Sequence, residues 1–322
     1  MSMAKKKTPS PKTVYRIRNW SAYNASLVKR GSITVWVDEE ALAGWQATSP
    51  EQRQRGGQYD YSDAAITLLL ILKSVYHLTL RETEGFAQSL FELMGVDLPV
   101  PDYTTLSRRG GKLSVSLPVQ SSEPIHLVMD STGLKVYGEG EWKVRQHGYS
   151  KRRTWRKLHL GVDEGRGEIQ AVMLSEASLD DAGAVTTLLA ETQAPVEQIS
   201  GDGAFDKSKV YDACRQEGIT QITIPPRKDA RIWQHGNCKA PPHPRDENLR
   251  RIRQVGRKRW KWESGYHRRS LAETMVFRFK TIFGDRLQAR EWTRQVTEAR
   301  IKCLVLNRMT RLGMPDSYPV AI

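Results

Sequence analysis

Three acidic side chains, far apart in the chain, have the types and settings for shared chemistry: Asp130 in HLVMDSTG, Asp202 in ISGDGAFD and Glu273 in SLAETMVF. Carboxylates brought side by side repel, so either one keeps a proton or a cation binds among them. Three hard oxygen donors suit Mg2+ or Mn2+, which retain waters and accept phosphate oxygens. Two such ions about 3.5–4 Å apart activate a water or a 3′-hydroxyl and stabilise the leaving oxygen of an in-line phosphoryl displacement. No Ser-His-Asp or Cys-His set is then needed. Taken singly, Asp130 and Asp202 read equally well as caps for the backbone donors of the turns that follow them.

The stretch 266–280, YHRRSLAETMVFRFK, reads as one helix, with Ser264 as its N-cap and Gly284 near its end, where glycine is favoured. At about 100° per residue, Tyr266, Arg269, Glu273 and Lys280 fall within a sector of roughly 60°. Leu271, Ala272, Met275, Val276, Phe279 and Ile282 project from the opposite side. One face is built for burial, and the other holds an acid between two cations with a phenol above it. Arg269 and Lys280 would hold phosphates there, and Tyr266 would donate to a phosphate or stack on a displaced base. The plainer alternative is an ion-pair ladder on a solvated face, with Arg269 doing no more than orienting Glu273.

The elements that must position these residues follow an alternating pattern. From residue 125 the order reads strand, strand, strand, helix, strand, helix, strand. The strands fall at 125–130, 156–163, 168–174, 198–202 and 219–224. The second and third are joined as a hairpin through 163–167. One helix opens at Asp180 or Asp181, and another spans 207–216. Asp130 and Asp202 each end a strand in this reading, and functional groups in α/β sheets gather at the strands' carboxyl ends. If those two strands are neighbours the two acids adjoin, and Glu273 completes the set. The stretch 225–263 reads as irregular and basic. Within it Arg257, Lys258 and Arg259 stand beside Trp260 and Trp262. Around 151–157, Lys151, Arg152 and Arg153 stand beside Trp155. Cations mixed with aromatics suit a DNA groove; solvated basic loops are the plainer reading. A last helix runs from about 291 to 311. His147, His159, His235, His243 and His267 show no ligand spacing.

Ahead of this lie three short helices. Ser62 caps one over 62–76, a Thr79–Glu82 capping box opens a second that Gly95 stops, and Asp102 caps a third over 103–109. Tight turns between short helices suggest a helix-turn-helix-like bundle. Its third helix carries Thr104, Thr105, Ser107, Arg108 and Arg109, side chains able to touch phosphates and base edges; a small packing domain is the plainer alternative. Further upstream, 33–37 reads as a short strand, 38–45 as a short helix capped by Asp38, and 50–59 as a loop. The first 30 residues read as a basic arm. The Ser/Pro-rich 114–124 is the best candidate boundary.

The 322 residues carry 50 Lys+Arg against 36 Asp+Glu, a net of +14, which points to a polyanionic partner, most often nucleic acid. The longest apolar run, 66–72, is too short to span a bilayer. The basic start MSMAKKKTPS has no apolar stretch behind it, so it does not read as a secretory signal. Cys214, Cys238 and Cys303 match no zinc spacing, and a reducing cytosol fits them.

On these motifs the chain resembles a bacterial insertion-sequence transposase of the DDE class, in the type-five insertion-sequence family. The Tyr-Arg-Glu-Lys spacing is met by Tyr266, Arg269, Glu273 and Lys280. VMDSTGLKVYGEGEWK and DGAFD resemble the family's two aspartate motifs, and IPPR at 224–227 also fits. The resemblance covers roughly 15–315. It implies an α/β, ribonuclease H-like catalytic domain, a mixed sheet with flanking helices, over about 121–314. A helical end-binding domain would occupy 31–120, behind a basic arm at 1–30, and a tail would follow at 315–322. It further implies Asp130, Asp202 and Glu273 as ligands of Mg2+ or Mn2+, in a two-ion site. The implied partners are double-stranded DNA, as terminal inverted repeats and target, and a second protomer at least on DNA. The expected location is the bacterial cytoplasm, on the nucleoid when DNA is bound. Two rival functions remain: an endonuclease of the same fold that does not join strands, and a DNA-binding regulator without catalysis.

Overall fold

The computed structural model describes residues 13–37, 39–47, 60–118, 122–136, 155–234 and 241–321. The first twelve residues of the expected arm, the Asp38 cap, the 50–59 loop, Lys151, Arg152, Arg153, His147, His235 and Cys238 lie outside the described residues.

The chain opens with strand β1 (Thr13–Ile17) and helix α1 (Trp20–Arg30). The expected strand at 33–37 is instead a single 3-10 turn, Ile33–Val35. Trp36 turns fully inward there, and its indole donates to the Arg30 carbonyl at 2.8 Å, so a packed side chain sets the backbone rather than a ladder. Helix α2 (Glu39–Ala43) leads to α3 (Asp63–Val75), α4 (Leu80–Met94) and α5 (Tyr103–Gly110). Ser62 Oγ accepts from the Ala65 amide at 3.1 Å, Thr79 and Glu82 close a reciprocal capping box, and Asp102 accepts from the Thr105 amide at 2.7 Å. Each cap contributes about 1 kcal/mol. Gly95 ends α4 at φ 67°, a left-handed value that side chains disfavour. Apolar residues of these helices, among them Ile66, Leu69, Leu72, Phe91 and Leu106, form one core.

The second part is a mixed sheet. Its strands are β2 (Ile125–Val136), β3 (Trp155–Asp163), β4 (Ile169–Glu176), β5 (Val196–Ser200) and β6 (Gln221–Thr223). Helix α6 (Asp181–Glu191) lies between β4 and β5 in sequence, and α7 (Ser208–Gln216) between β5 and β6. The spatial order is β4-β3-β2-β5-β6, antiparallel on the β3 side of β2 and parallel on the β5 side. Strand alternation sorts β2 onto two faces. Leu127 and Met129 enter a core with α6 and α7, whereas Val128 and Leu134 enter a second core on the other face.

That second core is covered by helices from the end of the chain. The region expected to be irregular, 225–263, contains α8 (Pro244–Val255) and α9 (Arg257–Glu263). Pro244 stands at the start of α8, where its missing amide costs nothing, and buried Leu249 and Trp260 give the two helices an inner side. Then come α10 (Ser270–Phe283), β7 (Arg286–Leu287), α11 (Trp292–Leu312) and β8 (Ser317–Ala321). Helix α11 is apolar on two sides. Ala299, Cys303 and Leu306 pack with the sheet, while Ile301, Val305 and Met309 pack with α3–α5. The connector at 114–124 is split likewise, with Val115 in the helical core and Leu117 in the sheet core. The stretch from Thr13 is not a loose arm: β1 pairs antiparallel with β8, register Tyr15↔Pro319, so the two ends of the described chain close on each other. Among the described residues no single helix is long and apolar enough to cross a membrane.

Glu298 of α11 lies at the junction of these parts, with its side chain 10% exposed. It accepts from Lys302 Nζ at 2.6 Å and from the Gln288 and Ala289 amides at 3.0 and 2.8 Å. Burial pushes its carboxyl up, but Lys302 and the two amides outweigh burial and the net shift is downward. Glu298→Gln should therefore cost about 3 kcal/mol at neutral pH. A carboxyl depressed on folding stabilises above its unfolded pKa, and the gain is lost as pH falls through the folded value. Urea unfolding should separate variant from wild type at neutral pH and bring the two together in acid. Equal midpoints at neutral pH would show that Glu298 holds nothing.

Candidate active site

Strand β2 runs on well past the point where its parallel neighbour stops. The β2–β5 ladder ends at Val128↔Ser200, and β7 takes up the same edge only at Lys135↔Arg286. Among the described residues nothing pairs with that edge of β2 in between. Asp130 therefore lies inside a long strand rather than at its end, as the sequence suggests, but at the mouth of a notch in the sheet. Across it, β5 has ended at Ser200, and Asp202 follows two residues further on, near enough for its charge to act on the Asp130 carboxyl. Gly201 makes this exit practicable: a Cβ there would sit 2.7 Å from the Phe205 ring, so the chain can turn so tightly only without a side chain. Asp202 caps the 3-10 turn Gly203–Phe205, accepting from the Ala204 amide at 2.8 Å. Asp130 accepts from the Ser131 amide at 2.9 Å. The capping roles are thus real, and they leave each carboxylate with further lone pairs.

Asp130 shares its face of β2 with Val128 and Leu134, the face that α10 covers through Ala272, Met275 and Phe279. Glu273 comes from the first turn of that helix. The stretch 266–280 is not one helix. Tyr266–Arg269 is a 3-10 turn preceded by Gly265 at φ 66°, α10 starts at Ser270, and Ser264 closes α9 instead of opening α10. The break brings Tyr266 against Trp260, with 6.1 Å between ring centroids, and beneath Lys261 Nζ at 4.7 Å. In the sequence Trp260 reads only as part of a basic tract, yet it is buried and shapes the Tyr266 setting. Arg269 lies 5.7 Å from the Tyr266 ring centre and forms an ion pair with Glu273. Lys280 continues the stripe seven residues beyond Glu273, about 10 Å along the axis.

The charges of these groups act on one another. Burial raises the Asp130 carboxyl above its ordinary value. The Ser131 amide and Arg269 pull it down, and Asp202 and Glu273 push it up again. Burial alone would lower Arg269, but Tyr266, Glu273 and Asp130 together hold it above its ordinary value. Burial likewise raises Tyr266. Among the described residues no three Asp, Glu, His or Cys side chains are set to hold a metal ion as they stand. As they stand, Glu273 pairs with Arg269 and Asp202 accepts from the Ala204 amide. The donor set nonetheless fits a hard divalent ion. It consists of carboxylates alone, and Asp130, raised chiefly by burial, stays raised despite the Ser131 amide and one guanidinium.

The other sequence candidates divide. Arg109 is buried, donating to the Tyr61 carbonyl at 2.6 Å and to Asp63 at 2.5 Å, so it ties α5 to α3 and is not a surface contact. Thr104 and Thr105 donate to Asp102. Ser107 is half-buried, and Arg108 is exposed. Arg257 donates to the Arg227 carbonyl at 3.3 Å, and Arg259 pairs with Glu263 at 2.8 Å; Lys258 is exposed. Lys151, Arg152 and Arg153 lie outside the described residues.

Residues 121–308 match the family model described as a transposase DDE domain, and residues 28–139 match a second model of the same description. The first match spans more than half of the chain, so the chain belongs to the DDE-domain transposases. The mixed sheet with flanking helices is consistent with the ribonuclease H-like form of that domain. Such domains act on DNA and generally depend on divalent metal.

A carboxyl raised on folding destabilises the folded state at pH values above it, and that cost is relieved as pH falls. Asp130→Asn, measured without divalent cations at neutral pH, should thus be at least as stable to urea as wild type. A clear loss of stability would show that the Asp130 charge supports the fold instead of straining it.

Proposed function

We propose that the chain is an insertion-sequence transposase of the type-five family, with Tyr266, Arg269, Glu273 and Lys280 as its Tyr-Arg-Glu-Lys signature. In this reading it binds the inverted-repeat ends of its element, cleaves to free a 3′-hydroxyl, and joins that hydroxyl to target DNA. The observation that carries the reading is that the three acids act on one another. The charges of Asp202, just past the end of β5, and of Glu273, on the helix over the Asp130 face of β2, both raise the Asp130 carboxyl, which supports a shared site.

Asp130, Asp202 and Glu273 would hold Mg2+ or Mn2+. When bound, such ions supply Lewis-acid neutralisation of the phosphate and a more acidic attacking water or hydroxyl. The chain's own residues do the rest. Glu273 turns from Arg269 toward the centre, which frees the guanidinium for a non-bridging oxygen of the scissile phosphate. Lys280 takes a neighbouring phosphate, and Tyr266, held by Trp260, donates its hydroxyl or stacks on a base. A water then displaces the 3′-oxygen at phosphorus; later the released 3′-hydroxyl displaces a target oxygen in the same way. Helices α3 and α4 meet at 107° through a four-residue connection, within the range of a helix-turn-helix, which supports α3–α5 as an end-reading unit with Arg108 outward. Two ends must be held at once, so a dimer on DNA is expected, in the cytoplasm on the nucleoid.

Asp130→Asn, Asp202→Asn and Glu273→Gln should each reduce cleavage of an end-bearing duplex by at least about a thousandfold while changing its binding little. Wild-type cleavage by any one of them would remove that residue from the mechanism. With a pre-cut end, wild type should yield products longer than the target strand; a product pattern of cuts alone would favour a nuclease that does not join.

A further inference from the structure

A cavity of about 890 Å³ opens where the α3–α5 bundle meets the edge of the sheet, away from the three acids. Five cations line it, Lys73, Arg81, Arg286, Arg290 and Arg294, against two acids, Asp285 and Glu298. Both acids are already committed. Asp285 pairs with Lys135 at 2.8 Å, and Glu298 holds Lys302 and two amides. Lys73 Nζ donates to the neutral Gln288 Oε1 at 2.7 Å, and burial lowers its pKa. Arg81 lies over the Tyr103 ring at 4.4 Å, a cation–π contact at the cavity wall. Among the described residues no carboxylate is in ion-pair contact with Lys73, Arg81 or Arg290. Arg286 and Arg294 pair with Asp285 and Glu291 at 3.7 and 3.4 Å, so Lys73, Arg81 and Arg290 are the cations that give the cleft a standing potential for a polyanion.

We propose that this cleft binds the sugar-phosphate backbone of the DNA substrate, as a second contact beside the cutting site. The proposal rests on the transposase reading and deepens it. Helix α10 links the two places: Glu273 is one of the acids, Phe283 lines the cavity, and the ten residue steps from one to the other span about 15 Å. At a rise of about 3.4 Å per phosphate this is roughly four base pairs. Lys280 stands between the two on the same helix. DNA running from the acids over Lys280 would enter the cleft and touch Arg81 on the helical bundle and Arg290 beside the sheet together. Cleavage and end reading would then share one strand.

The test uses the full chain and a fluorescein-labelled DNA duplex, with binding followed by anisotropy across a range of salt. Arg81 and Arg290 are exposed, so Arg81→Ala/Arg290→Ala should keep the fold, and circular dichroism checks that. The slope of log affinity against log salt should flatten by about two, close to 0.9 for each phosphate that is no longer neutralised. Arg290→Ala alone should flatten it by about one, and Arg215→Ala, exposed on α7, should leave it unchanged. Wild-type affinity and slope in the double variant would overturn the cleft while leaving the transposase reading intact. Failure of wild type to bind the duplex at any salt would overturn both.

Discussion

Burial of the Asp130 carboxylate, with two further acids close enough to act on it, is the constraint from which the rest of the site follows. Asp130 is buried enough for its charge to be costly, and two further acids add to that cost. The chain answers with Arg269, whose guanidinium is held above its ordinary pKa by the charges around it. One monovalent cation only partly offsets three acids. A divalent ion would do so more fully, and Arg269 would then be released toward the substrate. The ion pair between Arg269 and Glu273 is thus a resting arrangement of the same groups that the proposed chemistry needs.

The geometry that creates this constraint is a matter of strand length. Because β5 stops at Ser200 and β7 begins only opposite Lys135, β2 carries an edge in the middle of a sheet that nothing pairs with among the described residues. Backbone exits there through Gly201, and α10 closes over one face. The helical bundle is tied to this frame by α11, which supplies side chains to both cores, and by Val115 and Leu117 of the connector. Cations on the bundle and cations beside the sheet therefore keep a fixed separation, as a single length of DNA would require.

Much of this is legible in the sequence because it is local. Caps at Ser62, Thr79 and Asp102 are written in three or four consecutive residues, and strand alternation exposes β2 through β6 in their order. The apolar stripe of α10 is equally plain, and with it the common face of Arg269 and Glu273. What stays hidden depends on partners remote in sequence. The pairing of β1 with β8 joins opposite ends of the chain and leaves no mark on either. The extension of β2 beyond Asp130 needs β3 and β7, and the inward turn of Arg109 needs Asp63 and the Tyr61 carbonyl. The break before α10 is masked because Tyr266 keeps helical spacing across it. Gly265 is its one local sign, a glycine whose φ of 66° few other residues would adopt.

The central claim is that Asp130, Asp202 and Glu273 converge on one divalent-cation site. Fe2+ substituted for Mg2+ and treated with ascorbate and peroxide generates hydroxyl radicals that cut the backbone beside the bound ion, with no need of DNA or catalysis. The predicted fragments end near residues 130, 202 and 273 together, and they fade as Mg2+ is added. Cuts confined to other segments, or cuts at these three that excess Mg2+ leaves unchanged, would contradict it.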